Sequence, residues 1–286
     1  MEDRTKGIVL ILFSAFFFAL MAATVKSLAR IPVAEKIFFR NIFGLFIATY
    51  MIVKNKKPIL GNNKKFLLLR GIFGMLGMSA YFYALGNMPL ADTVILNKMS
   101  PFFVMVFSAI FLKEKIKKYQ LLSLILAVFG AIFVIKPQFD VTIIPYIIAL
   151  LSAIFAGSAY TTIRHLRHTD SSETIVFYFT FISTVSMIPF LFNGQFIIPS
   201  LKELLGLLAL GTVATSAQFL MTNAYRFAPA GELAIYTYTN IVFSTIIGLL
   251  IWSEIPDILS IIGGLSIITA GFINYYSNKK GKLKVK

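Results

Sequence analysis

The sequence predicts an all-α membrane protein of ten transmembrane helices arranged as two inverted five-helix repeats. Its 286 residues are 58% hydrophobic and only 14% charged, with mean hydropathy +0.82. Soluble chains average about 45–50% apolar and about 25% charged residues. Apolar windows of roughly 20 residues, the length a helix needs to cross the hydrocarbon core, recur along the chain with short polar breaks. The second half also repeats the first at a shift of about 140 residues, pairing Gly71 with Gly211, Pro89 with Pro229, Phe103 with Phe243 and Glu114 with Glu254. Nearer the start the shift is 138, so that Ser14-Ala15 meets Ser152-Ala153 and Glu35 meets Glu173. Two copies of an odd number of spans must cross the bilayer in opposite senses, which places a substrate site near the midplane between them.

Span one (7–28) opens behind Arg4 and Lys6, but its apolar run is too long for a signal peptide and its repeat partner is internal. Span two covers 34–53. Span three (66–86) carries Arg70, Gly74, Gly77 and Tyr81 on one face, then Tyr83 and Asn87 four apart. Its small residues Gly71, Gly74 and Gly77 predict close helix packing. Span four (91–112) is the richest in polar groups, with Asn97 and Lys98 ahead of Pro101. Proline has no N–H, so the Asn97 carbonyl, four residues back, loses its helical donor and a polar break is expected there. Span five covers 119–136 and closes the first repeat, 1–140.

The second repeat, 141–286, starts with span six (143–163), where Tyr160 stands at the position of Ala22, and span seven (173–193). Span eight (203–225) lines up Gly211, Thr215, Gln218, Thr222 and Tyr225 on one face with Asn223 adjacent. Span nine (231–252) spaces Glu232, Tyr236 and Asn240 by four, with Tyr238 beside them, and span ten (258–276) leads into a basic tail. The net charge of +15 is distributed as an orientation signal rather than a nucleic-acid surface. With the N-terminus inside, nineteen Lys and Arg fall in cytoplasmic segments and five on the opposite side, which predicts both termini in the cytoplasm of a multi-pass protein of the cell membrane.

A polar side chain inside a span must find a partner, line water or cost several kcal/mol, so these residues carry the functional reading. The substrate-binding candidates are Asn97, Lys98, Tyr81, Tyr83, Tyr160, Gln218, Asn223, Tyr236, Tyr238 and Asn240. Lys98 either faces a cavity, favouring a carboxylate or phosphate, or snorkels outward and pairs with Asp92. The shift sets Tyr238 opposite Lys98, so the second repeat offers phenols where the first offers an ammonium. Asp92 and Glu232 lie in the first turn of a span, where a carboxylate complements the helix dipole, and are also the candidate proton-coupling groups. Glu114 and Glu254 close spans four and nine, where the dipole disfavours an anion. Their recurrence calls for a structural partner, such as Arg70 for Glu114, or a gating role. His165 and His168 sit in one basic loop without a third ligand, there is no cysteine and no phosphate-binding glycine loop, so no metal, no cofactor and no enzymatic chemistry are expected.

Glu35-Lys-Ile-Phe-Phe-Arg40, Leu69-Arg70-Gly71, Pro89, and above all Ser100-Pro101 through Phe111-Leu112-Lys113-Glu114-Lys115, echoed by Ile251-Trp252-Ser253-Glu254, are similar to motifs of a known family. The whole chain resembles the drug/metabolite transporter superfamily in its EamA-type branch of ten-span carriers. The resemblance implies a cavity formed mainly by spans one, three, four, six, eight and nine, with alternating access by rocking of the helices around it. It also implies a secondary transporter of a small polar metabolite, an amino acid or other zwitterion or organic acid, working as a proton-coupled importer, an exchanger or an exporter. Organic cations, nucleotide precursors and lipids are the alternative cargoes. Organic-phosphate exchangers of the superfamily use basic residues in spans four and nine; Lys98 fits the first place and Tyr238 departs from the second.

Overall fold

Each apolar run forms a membrane-length helix in the computed structural model, which describes residues 2–111, 113, 116–136, 143–166, 169–194, 196–227 and 233–283. In chain order the helices are α1 (Glu2–Ser27), α2 (Val33–Lys54), α3 (Lys64–Asn87), α4 (Leu90–Asn97), α5 (Ser100–Phe111), α6 (Lys118–Ile135), α7 (Ile144–Leu166), α8 (Ser172–Phe192) and α9 (Leu201–Phe227). A 3-10 turn at Ala234–Tyr238 precedes α10 (Thr239–Trp252), and α11 (Ile258–Leu283) follows. α4 and α5 together make span four, and the 3-10 turn with α10 makes span nine.

Local chemistry sets several of the ends. The Asn63 side chain accepts from Phe66 N and that of Ser171 from Thr174 N, each satisfying an orphan amide of the first turn. Pro32 and Pro89 precede α2 and α4 with extended ψ angles of 150° and 140°, and supply no amide where none is needed.

The helix pairings show the inverted repeat directly. α1 packs on α9 and α3 on α7, which are spans one with eight and three with six, and these two pairs exchange under the repeat. Likewise α2 on α9 exchanges with α3 on α8, and α1 on α10 with α5 on α7. Spans two with seven, five with ten and four with nine pair across the pseudo-two-fold itself. The α6–α11 crossing is close because both sides are glycine: a Cβ on Gly130 would stand 2.7 Å from the Gly263 carbonyl oxygen. Without a hydrophobic force between helices in lipid, such backbone approach is a main source of packing energy. Gly77 serves the same end in α3, where an added Cβ would meet Ala156 N of α7 at 3.3 Å.

The expected break in span four is present, at Lys98 and Met99. Its repeat partner in span nine changes from 3-10 to α geometry between Tyr238 and Thr239 without a gap, and Ile241 stands where Pro101 does. There the Thr239 hydroxyl donates to the Tyr236 carbonyl at 2.6 Å, a side chain competing for a backbone acceptor. α5 and α10 therefore restart within one residue of the same repeat position.

Candidate functional site

The two irregular stretches are tied to the opposite repeat by amide side chains. Asn97 Nδ2 donates to Ser152 Oγ of α7 at 3.1 Å, and that hydroxyl donates to the Ala149 carbonyl at 2.6 Å. Asn240 Nδ2 donates to the Ala15 carbonyl of α1 at 2.9 Å, and Ser14 Oγ to the Ala217 carbonyl of α9 at 2.8 Å. Spans one, four, six, eight and nine thus meet around these irregular stretches through polar contacts.

Lys98 caps α4 half-buried, and its ammonium has no ion pair or hydrogen bond among the described residues. The expected alternative, a pair with Asp92, is absent: Asp92 is 3% exposed and faces Tyr146 Oη at 3.4 Å and Lys136 Nζ at 3.9 Å. Helix phase separates the tyrosines. Tyr83 lies three full turns beyond the exposed Ile72 and shares its outward stripe, whereas Tyr81 lies on the opposite, inward side with Arg70. Tyr160 is 51% exposed, yet it stands about 180° around α7 from the outward-facing Leu151, so its surface is turned into the bundle. Tyr236 is half-buried against Ile11, Ala224 and Leu233. Tyr238 is 7% exposed, its ring laid on Gly271 of α11. Gln218 is half-buried, and Asn223 lines a groove between α1, α2 and α9. Glu232 and Glu114 lie outside the described residues.

The groove has a volume of about 650 Å³ and is walled by Phe13, Phe17, Phe43 and Phe219, with Thr215 and Ser216 among its few polar groups. At the end of the bundle opposite both termini, side chains close the structure. Lys26 pairs with Glu254, donates to the Met88 carbonyl at 2.8 Å and lies 5.4 Å from the Trp252 ring centre. The second Glu254 oxygen accepts from Leu90 N at 2.8 Å, so one carboxylate joins α1, the start of α4 and the end of α10. Lys136 binds Asp257, and its donated hydrogen bond holds that carboxyl below the usual range. Arg30 takes both oxygens of Glu203 at 2.7 Å.

One cluster was not singled out from the sequence. Arg40 of α2 and Arg70 of α3 both approach Phe179 of α8, with their guanidinium carbons 5.6 Å and 4.2 Å from its ring centre. Arg40 Nη1 donates to the neutral Asn41 amide at 2.7 Å. Arg40 Nε, Arg70 Nε and Arg70 Nη1 are buried without a hydrogen-bond partner, and neither arginine has a carboxylate partner among the described residues. Tyr160 is carried by α7, which packs on α3, six residues before the end of its helix as Arg70 is six residues into its own. The signal was in the sequence as two arginines inside spans; what it lacked was their mutual approach. Among the described residues no group of three or more His, Asp or Glu could hold a metal ion.

Comparison with known proteins agrees with this architecture. The EamA-like transporter family matches residues 5–136 and again 143–276. The chain is 38% identical to the pseudopaline exporter CntI of Pseudomonas aeruginosa over 267 residues, 92% of this chain and 94% of the other. It is 27% identical to an S-adenosylmethionine uptake transporter of Rickettsia bellii over 259 residues, 89% and 88% of the two chains. One solved crystal structure superposes with a TM-score of 0.68 over 96% of this chain and 98% of that one, at 14% identity, a likeness of fold alone. Ten apolar helices, paired across an inverted repeat and matched twice by one family, make this chain a multi-pass membrane transporter of the EamA-like family.

Proposed function

We propose that the protein is a secondary carrier of a small polar metabolite, an organic acid or zwitterion, working by alternating access in the cell membrane with both termini in the cytoplasm. The observation that carries this reading is the pair of irregular spans, four and nine, one interrupted at Lys98–Met99 and the other 3-10 up to Tyr238, which depart from α geometry at matching repeat positions and pair across the pseudo-two-fold. Discontinuous helices at a repeat interface supply unsatisfied backbone and polar side chains where a solute can replace water. Asn97, Lys98 and Tyr81 from the first repeat, with Tyr160, Gln218, Asn223, Tyr236 and Asn240 from the second, are the side chains assigned to that region. Tyr83 and Tyr238 would join it only through rotation of their helices. The division into repeats 1–140 and 141–286 supplies the two bodies that rock.

The ion pairs at the end opposite the termini fit a closed gate, with Glu254 as its shared carboxylate. At the shift of 138 Lys26 corresponds to Arg164, and at 140 Glu254 corresponds to Glu114, so the repeat writes a second basic–acidic pair for the other end. Asp92 and Glu232 remain the proton-coupling assignments. The 38% identity to an exporter favours outward movement of solute.

Purified protein in liposomes preloaded with a cell extract tests the reading by exchange. Selective depletion of one acid or zwitterion with intact protein supports it. Depletion of a cation alone, or scrambling of labelled lipid, assigns the fold to one of the alternative cargoes. The aromatic groove between α1, α2 and α9 is the feature that a lipid cargo would use.

A further inference from the structure

We propose that Arg40, Arg70 and Tyr160 form the anion-reading end of the transport site, and that the solute carries two or more carboxylates. The proposal rests on the carrier reading above and narrows its substrate.

Guanidinium groups stay charged in any protein environment. Two of them lie beside one another within the membrane-spanning region, on α2 and α3, with Arg70 only 9% exposed. The phase of α3 turns Arg70 to the same inward face as Tyr81. Burial of a charge costs several kcal/mol unless a partner offsets it. The partners present are weak ones: a neutral amide on Arg40 and the shared face of Phe179. A ring face contributes about 0.5–2 kcal/mol, too little for two cations. A fixed carboxylate would have solved the problem, and none of the described residues supplies it.

The open valences point the same way. Arg40 has one nitrogen sealed and unpartnered and Arg70 has two, while the Nη2 atom of each is neither bonded among the described residues nor sealed. These two forks and the inward-turned Tyr160 hydroxyl form a donor set whose one acceptor among the described residues is the neutral Asn41 amide. Planar forks match carboxylates two oxygens at a time. The second repeat places Tyr178 and Leu210 where the first has Arg40 and Arg70, so the positive charge sits at one pole only. A solute with its carboxylates gathered at one end and a less charged remainder suits that asymmetry. Arg70 lies six residues into α3 and Tyr160 six before the end of α7, roughly 9 Å from the end carrying the termini. Solute arriving from that side meets this pole first.

The test uses the full chain in lipid nanodiscs and in liposomes. Thermal unfolding is followed with citrate, succinate, inorganic phosphate and choline chloride. Citrate and succinate are expected to raise Tm of the wild type, and Arg70→Lys to need about 10- to 100-fold more of either for the same shift. Arg40→Gln and Arg70→Gln should abolish the shift; if either fails to fold, Arg70→Lys and Tyr160→Phe carry the comparison. Stabilisation by phosphate alone, by no anion, or equally in wild type and Arg70→Lys overturns the proposal. Liposome exchange separates the two readings. A neutral or cationic solute moved equally by wild type and arginine variants leaves the carrier reading standing and removes this one. Arginine-dependent stabilisation by citrate, with no solute exchanged, does the reverse.

Discussion

Replacing Glu254 by glutamine should unlatch the end of the bundle opposite the termini. The carboxylate has two duties there: one oxygen takes the Lys26 ammonium and the other accepts Leu90 N at 2.8 Å. Glutamine keeps an acceptor for Leu90 and loses the charge. The pair is largely withdrawn from solvent, with side-chain exposures of 13% for Lys26 and 21% for Glu254, so surface screening does not erase its value. A hydrogen bond to a charged group contributes about 1.5–3 kcal/mol. Losing about 2 kcal/mol from the closed state alone raises the open population roughly 30-fold, since about 1.4 kcal/mol is a factor of ten. The absence of native cysteine makes the measurement direct. A single cysteine at Tyr81, six residues from that end of α3, is reacted with a water-soluble maleimide applied from that side only. The reaction rate should rise about tenfold or more in the Glu254→Gln background. An unchanged rate, or an equal rise from both sides, would refute the latch: the first because the pair holds nothing, the second because the bundle has merely loosened.

Gly130→Val should lower Tm by several degrees and cost about 1–3 kcal/mol, because its side chain enters space held by the Gly263 carbonyl at 2.7 Å; differential scanning fluorimetry reads this. Asn240→Ala removes the bond from α10 to the Ala15 carbonyl and should cost about 1 kcal/mol, with the Asn97→Ala variant comparable, both measured by thermal unfolding in the same detergent. Asp257 has its folded pKa depressed by Lys136, so its contribution is present above the ordinary aspartate range near 4 and fades as pH falls through the lower folded value. Wild type and Asp257→Asn should therefore differ in Tm at neutral pH and converge in acid. Lys98→Ala should abolish or redirect solute exchange while yield and insertion are unchanged; normal exchange kinetics would remove Lys98 from the site.

The fold was legible because its signals are local. Apolar length specifies a span, and in lipid each backbone must satisfy itself within a helix or a closed barrel, so hydropathy already names the helices. The break at Lys98–Met99 was legible through Pro101, whereas the change from 3-10 to α geometry at Tyr238–Thr239 was not, since no proline marks it. Helix periodicity put Arg70 and Tyr81 on one face, and the structure turns that face inward. Periodicity also set Tyr83 on the far side of α3 from Tyr81, but it said nothing of Tyr238, whose ring fills the space above Gly271.

By itself the sequence determined ten spans, their two-fold repetition, the inverted sense that an odd number of spans imposes, and the family. These follow from the order and length of apolar segments, which no tertiary contact can alter. Tertiary structure alone decided which charges meet. Glu254 met Lys26 from 228 positions away, Asp92 met Tyr146 and Lys136 instead of Lys98, and Arg70 met Phe179, with no acid beside it among the described residues. The reason is geometric. A charge in a membrane helix takes its partner from whichever neighbouring helix presents one at the same depth and angle, and that neighbour is set by packing, not by proximity in the chain.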